Sequence, residues 1–269
     1  FNNLIEMYAE PNQITDFLYG VFGDVTTISD GGSPEVAYKH EFVPGTSLPF
    51  YTIEVVPNLA NKARRVDSCV VQKVEFSCVA KEIATLSVDV VGRSETLTAP
   101  TSPSISRTTP FIYHGGTVTV DDSTKSNVTS IKISVENEIT DDLFTITDEP
   151  FIQDIPVHGV KVSGTMDIHV TDWEFYEYLL GAASATSPQK TMSPISISLA
   201  LTGGSTGSSQ SSFENYQLTI DLPKVYITDG PINFSKRERL AQSVSFEAVY
   251  DSSSGYVTKW TLINTRSEV

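Results

Sequence analysis

The stretch CVVQKVEFSCVAKEIATLSVDVVG, Cys69 to Gly92, decides the fold. Apolar Val74 and Phe76 alternate with Lys73, Glu75 and Ser77, and Leu86, Val88 and Val90 alternate with Ser87 and Asp89. That period of two belongs to strands with one dry face, and the polar break between the runs makes a hairpin. Cys69 and Cys78 fall within one strand. At about 3.3 Å per residue their α-carbons stand roughly 30 Å apart, beyond disulfide reach, and their odd spacing points them to opposite faces. They read as free thiols, which suits assembly inside a cell.

Outward from this hairpin the same pattern recurs. Strands are predicted at Tyr51–Val56, Val70–Phe76, Ala84–Val91, Thr117–Val120, Val128–Val135, Val160–Val170, Ile195–Leu201, Tyr216–Leu222, Ser243–Tyr250 and Val257–Ile263. Turn-rich segments separate them, as in an antiparallel β architecture. Two stretches break the rhythm. Ile14, Phe17, Leu18, Val21 and Phe22 have the spacing of a buried helical face, with Gly23 as a stop. Phe175, Tyr176, Leu179 and Leu180 form a second helix, with Thr171 and Glu174 as a possible capping box and Gly181 as the stop.

The 269 residues carry 18 Lys and Arg against 33 Asp and Glu, a formal net charge of -15. A hydrophobic content of 39% excludes a disordered chain despite that charge. The acidity argues against a grip on nucleic acid, which needs clustered cations. No apolar run approaches the roughly 20 residues of a membrane-spanning helix. The sequence opens on Phe1 rather than Met, the expectation being a processed chain or part of a longer one.

Internal parallels organise the chain. Phe17-Leu-Tyr-Gly-Val-Phe-Gly23 and Phe175-Tyr-Glu-Tyr-Leu-Leu-Gly181 both end helices. The runs from Tyr51 and Tyr216, Gln72–Phe76 and Gln242–Phe246, and Thr85–Glu95 and Thr258–Glu268 follow in the same order. Arg64 and Arg65 in one half parallel Arg237 and Arg239 in the other. A duplication explains this order, against two coincidentally similar β runs. The first copy extends over residues 1–97, a Pro/Ser/Thr-rich linker over 98–110, and the second copy over 111–269. The second has strands ahead of its helix that the first lacks, so further strands are expected upstream of Phe1.

A search for chemistry finds no catalytic motif, and an enzyme is not expected. His40, His114, His158 and His169 lack metal-ligand spacing. Asp167 and His169 share a strand face, as a structural polar pair or part of a metal site. Asp121-Asp122 and Asp141-Asp142 read as solvated turns or a weak cation site, without a calcium-loop pattern. The glycine-rich Gly203–Ser209 does not open a helix, so a mobile loop is expected rather than a phosphate cradle. Asn127 and Asn233 head glycosylation sequons at a frequency that chance explains. No cofactor or metal is implied.

With the residues quoted above, together with NVTSIKISVENEI (Asn127–Ile139), GTMDIHVTDWEFYEYLLG (Gly164–Gly181) and the run from Tyr216 through LAQSVSFEAVYD to TLIN, the chain resembles the major tail tube proteins of long-tailed bacteriophages and related archaeal viruses. The resemblance implies a mainly β fold of two tandem tail-tube-type β-sandwich/barrel units, each with one flanking α-helix. It implies rings that stack into the tail tube, the conduit for genome ejection. Two units per chain favour a trimeric, pseudo-hexameric ring over a hexamer. The implied partners are other copies of the chain, stacked rings, and tape measure, tail-tip and terminator proteins. DNA passes through without specific binding, and this chain does not insert into a membrane. The implied location is the virion tail, after assembly in the host cytoplasm.

Val74, Phe76, Ile131 and Ile133 are expected on the core side of the long strands, and Glu75, Asp89, Glu136 and Asp167 on the channel side. Asp30, Gly31, Gly45, Thr46, Gly204, Ser205, Gly207 and Ser209 are expected in loops between rings. The alternative is a β-sandwich carbohydrate-binding or adhesin-like module, with Trp173, Tyr176, Tyr178 and Trp260 as a sugar platform. A glycoside-processing enzyme would require two opposed carboxylates in a cleft.

Overall fold

The computed structural model describes residues 2–57, 61–102, 105–140, 155–232 and 239–269. Asp141, Asp142, Asn233 and Arg237 lie outside the described residues. The first half contains β1 (Asn2–Tyr8), α1 (Ile14–Phe22), β2 (Gly23–Ser29), β3 (Tyr38–Pro44), β4 (Tyr51–Val55), β5 (Ala63–Val79), β6 (Thr85–Val91) and β7 (Ser94–Thr98). The second contains β8 (Gly116–Val120), β9 (Ser123–Thr124), β10 (Val128–Ile139), β11 (Val157–His169), α2 (Glu174–Leu180), β12 (Ile195–Ser205), β13 (Asn215–Asp229), β14 (Ala241–Ala248) and β15 (Lys259–Asn264). The fold is mainly β, as the alternation predicts. Every strand predicted from the sequence is present, and β1, β2, β3, β7 and β9 are additional.

The strands form one network in the order β1-β6-β5-β10-β11-β14-β13-β12-β8-β9. β15 bridges β13 and β3, β2 adds to β3, and β4 and β7 flank the first half of β5. The network folds over itself into two layers. Core residues of β5, β10, β11 and β14 face those of β12, β13 and β15 across one apolar interior. Trp260 on β15 is fully buried, edge-on to Phe76 of β5 with ring centroids 6.1 Å apart, and packs on Phe22 of α1 at 5.6 Å. Such aromatic pairs add to area burial. At Gly164 the sheet needs a bare α-carbon, because a β-carbon would strike the Lys132 carbonyl and the Phe246 ring folded across it.

α1 packs against β5, β3, β2 and β10 through the apolar face expected of it. Gly23 ends the helix at φ 74°, donates its N–H to the Tyr19 carbonyl, and starts β2 without a loop. The capping box expected for α2 does not form. The Asp172 carboxylate accepts the Glu174 N–H at 3.1 Å, while Glu174 turns away to Lys125 at 2.7 Å. An aspartate two residues before that N–H reaches it directly, and a buried-stem lysine draws the glutamate outward.

β5 is far longer than predicted. Its first half carries Arg64 and Arg65, which hide a strand from a hydropathy pattern; Arg64 meets Glu95 of β7 at 2.6 Å through two guanidinium nitrogens. A register shift between Val71 and Lys73 separates the two halves. Cys69 and Cys78 lie on this one strand as free cysteines, both buried. Asn137, fully buried at the end of β10, donates its amide to the Val71 carbonyl at this shift (3.1 Å) and to the Val21 carbonyl of α1 (2.9 Å). Buried backbone acceptors thus acquire partners where the ladder is interrupted.

The two halves repeat one pairing pattern. In the first, β1 leads into α1 and pairs β6, β6 pairs β5, and the first half of β5 is flanked by β4 and β7. In the second, β11 leads into α2 and pairs β14, β14 pairs β13, and the first half of β13 is flanked by β12 and β15. The topology therefore matches β5 with β13 and β6 with β14. The sequence parallel of Gln72–Phe76 with Gln242–Phe246 is one strand out of step. Alternation of period two looks alike at a one-strand offset, whereas hydrogen-bond partners do not. The halves are joined by the β5–β10 and β15–β3 ladders.

The C-terminal end is strapped to α1. Asn264, fully buried, donates to Thr15 Oγ1 at 2.8 Å, and Arg266 forks onto Asp16 at 2.7 and 2.9 Å. His40 lies between them, with Nε2 donating to Asn264 Oδ1 and the Arg266 carbonyl at 3.0 Å each, and Nδ1 accepting the Thr27 hydroxyl at 2.9 Å. Burial holds the imidazole below its ordinary range. The unfolded chain therefore takes up a proton first, near pH 6.5, and stability present above that pH declines as pH falls through it. Thermal unfolding at pH 7.5 and 5.5 should show this fall in the wild type, and a smaller one in His40→Gln.

Candidate channel surface

On β6, β5, β10, β11 and β14 every second side chain leaves the core for one broad polar face. The ladders set its rows. Ser134 of β10 stands opposite Glu75 of β5 and Ser163 of β11, and Ser163 opposite Glu247 of β14. One step along, Glu136 stands between Lys73 and Lys161, and Lys73 also faces Asp89 of β6. One step the other way, Lys132 lies between Ser77 and Thr165, diagonal to Glu75. Ser130 donates to Asp167 at 2.6 Å in the last row. Lys73, Glu75, Lys132, Glu136, Lys161 and Glu247 line one shallow concavity on this face.

Glu75, Asp89, Glu136 and Asp167 thus share a face, opposite the buried Val74, Phe76, Ile131 and Ile133. The sequence reading did not name Lys73, Lys132, Lys161 and Glu247 for the channel side, although strict alternation from Glu75, Glu136 and Asp167 would have placed the lysines. The electrostatics follow from the rows. Lys73 is flanked by Asp89 and Glu136 and has Glu75 at 3.5 Å, while Lys161 faces Glu136. Opposite charges facing across strands stabilise each other by about 0.2–1 kcal/mol. Glu247 and Asp167 face only serines and Tyr226 across their ladders, so acid is in excess.

The loop residues fall into two groups. Asp30 closes β2 and is only 8% exposed; it accepts the Ser208 hydroxyl at 2.7 Å and the Gly32 N–H at 3.0 Å. These bonds, the Ser208 hydroxyl foremost, hold its carboxyl below the usual range. Gly31 in that turn is exposed. Gly204 and Ser205 end β12 rather than lying in a loop, and Gly207 and Ser209 follow, exposed. The clasp brings the β2–β3 turn to the β12–β13 loop. Gly45 and Thr46 lie at the opposite end of the β2–β3 hairpin, where the Gly45 N–H donates to the Phe22 carbonyl at 2.7 Å.

The four aromatics of the sugar-platform reading do not come together as a surface. Trp260 is in the core, and Tyr178 is buried with its hydroxyl on Asp121 at 3.0 Å, its pKa pushed up to about 12 by burial and that contact. Trp173 is exposed, with Tyr176 edge-on at 5.8 Å. Asp121-Asp122 make the β8–β9 turn, both at positive φ, and Asp121 also accepts the Ser196 N–H. Among the described residues, no group of three or more His, Cys, Asp and Glu side chains is placed to hold a metal ion.

An antiparallel sheet folded over a dry interior, with one wide charged face, makes this a mainly β protein. A model of the phage tail tube protein family matches residues 5–248, and the chain belongs to that family. No curated protein matches the sequence. Its role is that of a structural component of the tail tube, located in the virion tail, where it assembles with itself and other tail components.

Cutting the clasp should loosen one end of the molecule without unfolding it. In Ser208→Ala, limited proteolysis is expected to cleave within residues 203–215 several-fold faster than in the wild type, with an unchanged thermal midpoint.

Proposed function

We propose that the chain forms rings that stack into the tail tube, and that the polar face of β6, β5, β10, β11 and β14 lines the channel through which the genome is ejected. The observation that carries this reading is the excess of carboxylates on an unbroken antiparallel face, with its lysines set among them. Duplex DNA carries one charge per about 1.7 Å of axis. A wall with acid in excess repels it at distances within the Debye length, about 8 Å at physiological ionic strength. Lys73 and Lys161, which face carboxylates, offer little to phosphate, and Lys132 has Glu75 on its diagonal. The duplex then slides without being held.

The repeated pairing pattern supports a trimeric ring with pseudo-sixfold symmetry, built from two units in each chain, residues 1–97 and 111–269 joined by 98–110. The Asp30–Ser208 end and the Gly45–Thr46 end supply contacts between stacked rings. Tape measure, tail-tip and terminator proteins are the remaining partners. Assembly takes place in the host cytoplasm, where Cys69 and Cys78, with thiol pKa values raised by burial, stay reduced and inert.

Reversing charge at two exposed positions tests the channel assignment. Tubes of Glu136→Lys/Glu247→Lys should form normally and retain short DNA duplexes in low salt, releasing them as salt is raised; wild-type tubes should retain none. Equal, negligible retention by both would remove this face from the channel. Native mass of single rings should correspond to three chains, and six would refute the trimer.

A further inference from the structure

The repeated pairing pattern also lines up side chains, row by row. The five-residue β5–β7 ladder over Ala63–Asp67 corresponds to the five-residue β13–β15 ladder over Gln217–Asp221, so Arg64 matches Leu218 and Val66 matches Ile220. On β13, Leu218 stands between Leu201 of β12 and Leu262 of β15, and Ile220 between Leu199 and Trp260. All six are buried. On β5, Arg64 stands between Val55 of β4 and Leu97 of β7, and Val66 between Ile53 and Glu95. Val66 is buried, but Leu97 is 66% exposed, Val55 is exposed in the same row, and the Arg64 guanidinium is held on Glu95. The same sheet face is dry in one half of the chain and open in the other.

A helix from the opposite half helps to close the dry face. Phe22, the last residue of α1 before Gly23, lies on Trp260 at 5.6 Å, and Leu18, Val21 and Phe22 are all buried. α1 packs on β5, and α2 packs on its counterpart β13, with Phe175 and Tyr178 buried in the core. α2 is less completely covered. Trp173, Tyr176 and Leu180 have the i, i+3, i+7 spacing of one helical stripe. Trp173 is 56% exposed with Tyr176 edge-on to it, and Tyr176 and Leu180 are half-buried. Leu180 precedes Gly181 as Phe22 precedes Gly23, so the two side chains hold the same position at the ends of their helices.

We infer that the open face of β4, the first half of β5 and β7 is the docking site for α2 of a second copy of this chain. Leu180 takes the place over Leu97 and Glu95 that Phe22 takes over Trp260, and Trp173 and Tyr176 enter the same contact. The contact of Phe22 with Trp260 inside the chain is the template, and the neighbour's helix repeats it between chains. The docking rests on the tube reading, in which copies stand side by side. An apolar helical stripe laid on a half-apolar face is held by its side chains, and it removes Leu97 and Val55 from water. The charged pair explains how the face exists before assembly. Where the dry face has Leu218 and Trp260, the open one has Arg64 and Glu95, which keep it wetted until the helix arrives.

The two tryptophans read this contact in the full-length protein. Trp260 is already buried, so a change in emission between free subunits and assembled tubes reports on Trp173. Emission should move to the blue and quenching by acrylamide should fall several-fold, and neither change should occur in Trp173→Phe. Leu97→Asp alters an exposed side chain; it should leave the circular dichroism and thermal midpoint of the subunit unchanged while abolishing ring formation. Unmoved Trp173 emission in wild-type tubes, or Leu97→Asp rings in wild-type yield, would overturn the docking while leaving the tube reading in place. Failure of the wild-type protein to form any ring or tube would overturn the tube reading and the docking with it.

Discussion

The antiparallel ladder between β5 and β10 is the contact on which the rest of the molecule depends. It joins two stretches of chain that would otherwise present separate sheet edges, and edges attract unwanted partners. Its register, Glu136 on Lys73 through Ser130 on Val79, also aligns the two halves so that one face is dry throughout and the other polar throughout. A slip of one residue would carry Ile131, Ile133 and Val135 to the wet side and their charged neighbours into the core. Burial of these side chains, at about 25 cal/mol per Å² of apolar surface, holds the register against such a slip.

The shift in β5 beside Gln72 is what lets one strand serve two layers. Up to Cys69, β5 runs with β4 and β7; from Lys73 on, it lies between β6 and β10. Interrupting a ladder leaves backbone groups without partners, and the Asn137 amide meets this need while tying α1 to the same point. At the far end of the chain, Asn264, His40 and Arg266 give α1 a second anchorage. α1 is thereby fixed between strands distant in sequence through directional hydrogen bonds from buried or half-buried polar groups, which specify one arrangement more narrowly than apolar contact does.

The polar face combines mutual compensation with a residual sign. Lysines placed beside carboxylates keep the face ordered and cancel locally, and Glu247 and Asp167 leave a surplus of acid. In the proposed channel this is the balance that suits a passing polyanion, since an uncompensated cation in the wall would be a point of retention.

Much of the β architecture was legible from Cys69–Gly92 alone, because a period of two records burial directly in residue type. The strands hidden from the sequence had specific reasons. β2 has few buried side chains, the first half of β5 carries two arginines, and β7 pairs mainly through Glu95 and its backbone. The acidic members of the polar face were readable for the same reason as the core, by parity along each strand. By itself, then, the sequence determined the fold class, both helices, the dry and wet faces of the long strands, and the sign of the charge. Only the tertiary structure decided which strands are neighbours, that β5 corresponds to β13 in its pairing, and that Asp30 meets Ser208. Residue type registers how far a side chain is from water, whereas strand pairing is made by backbone groups that are alike in nearly every residue.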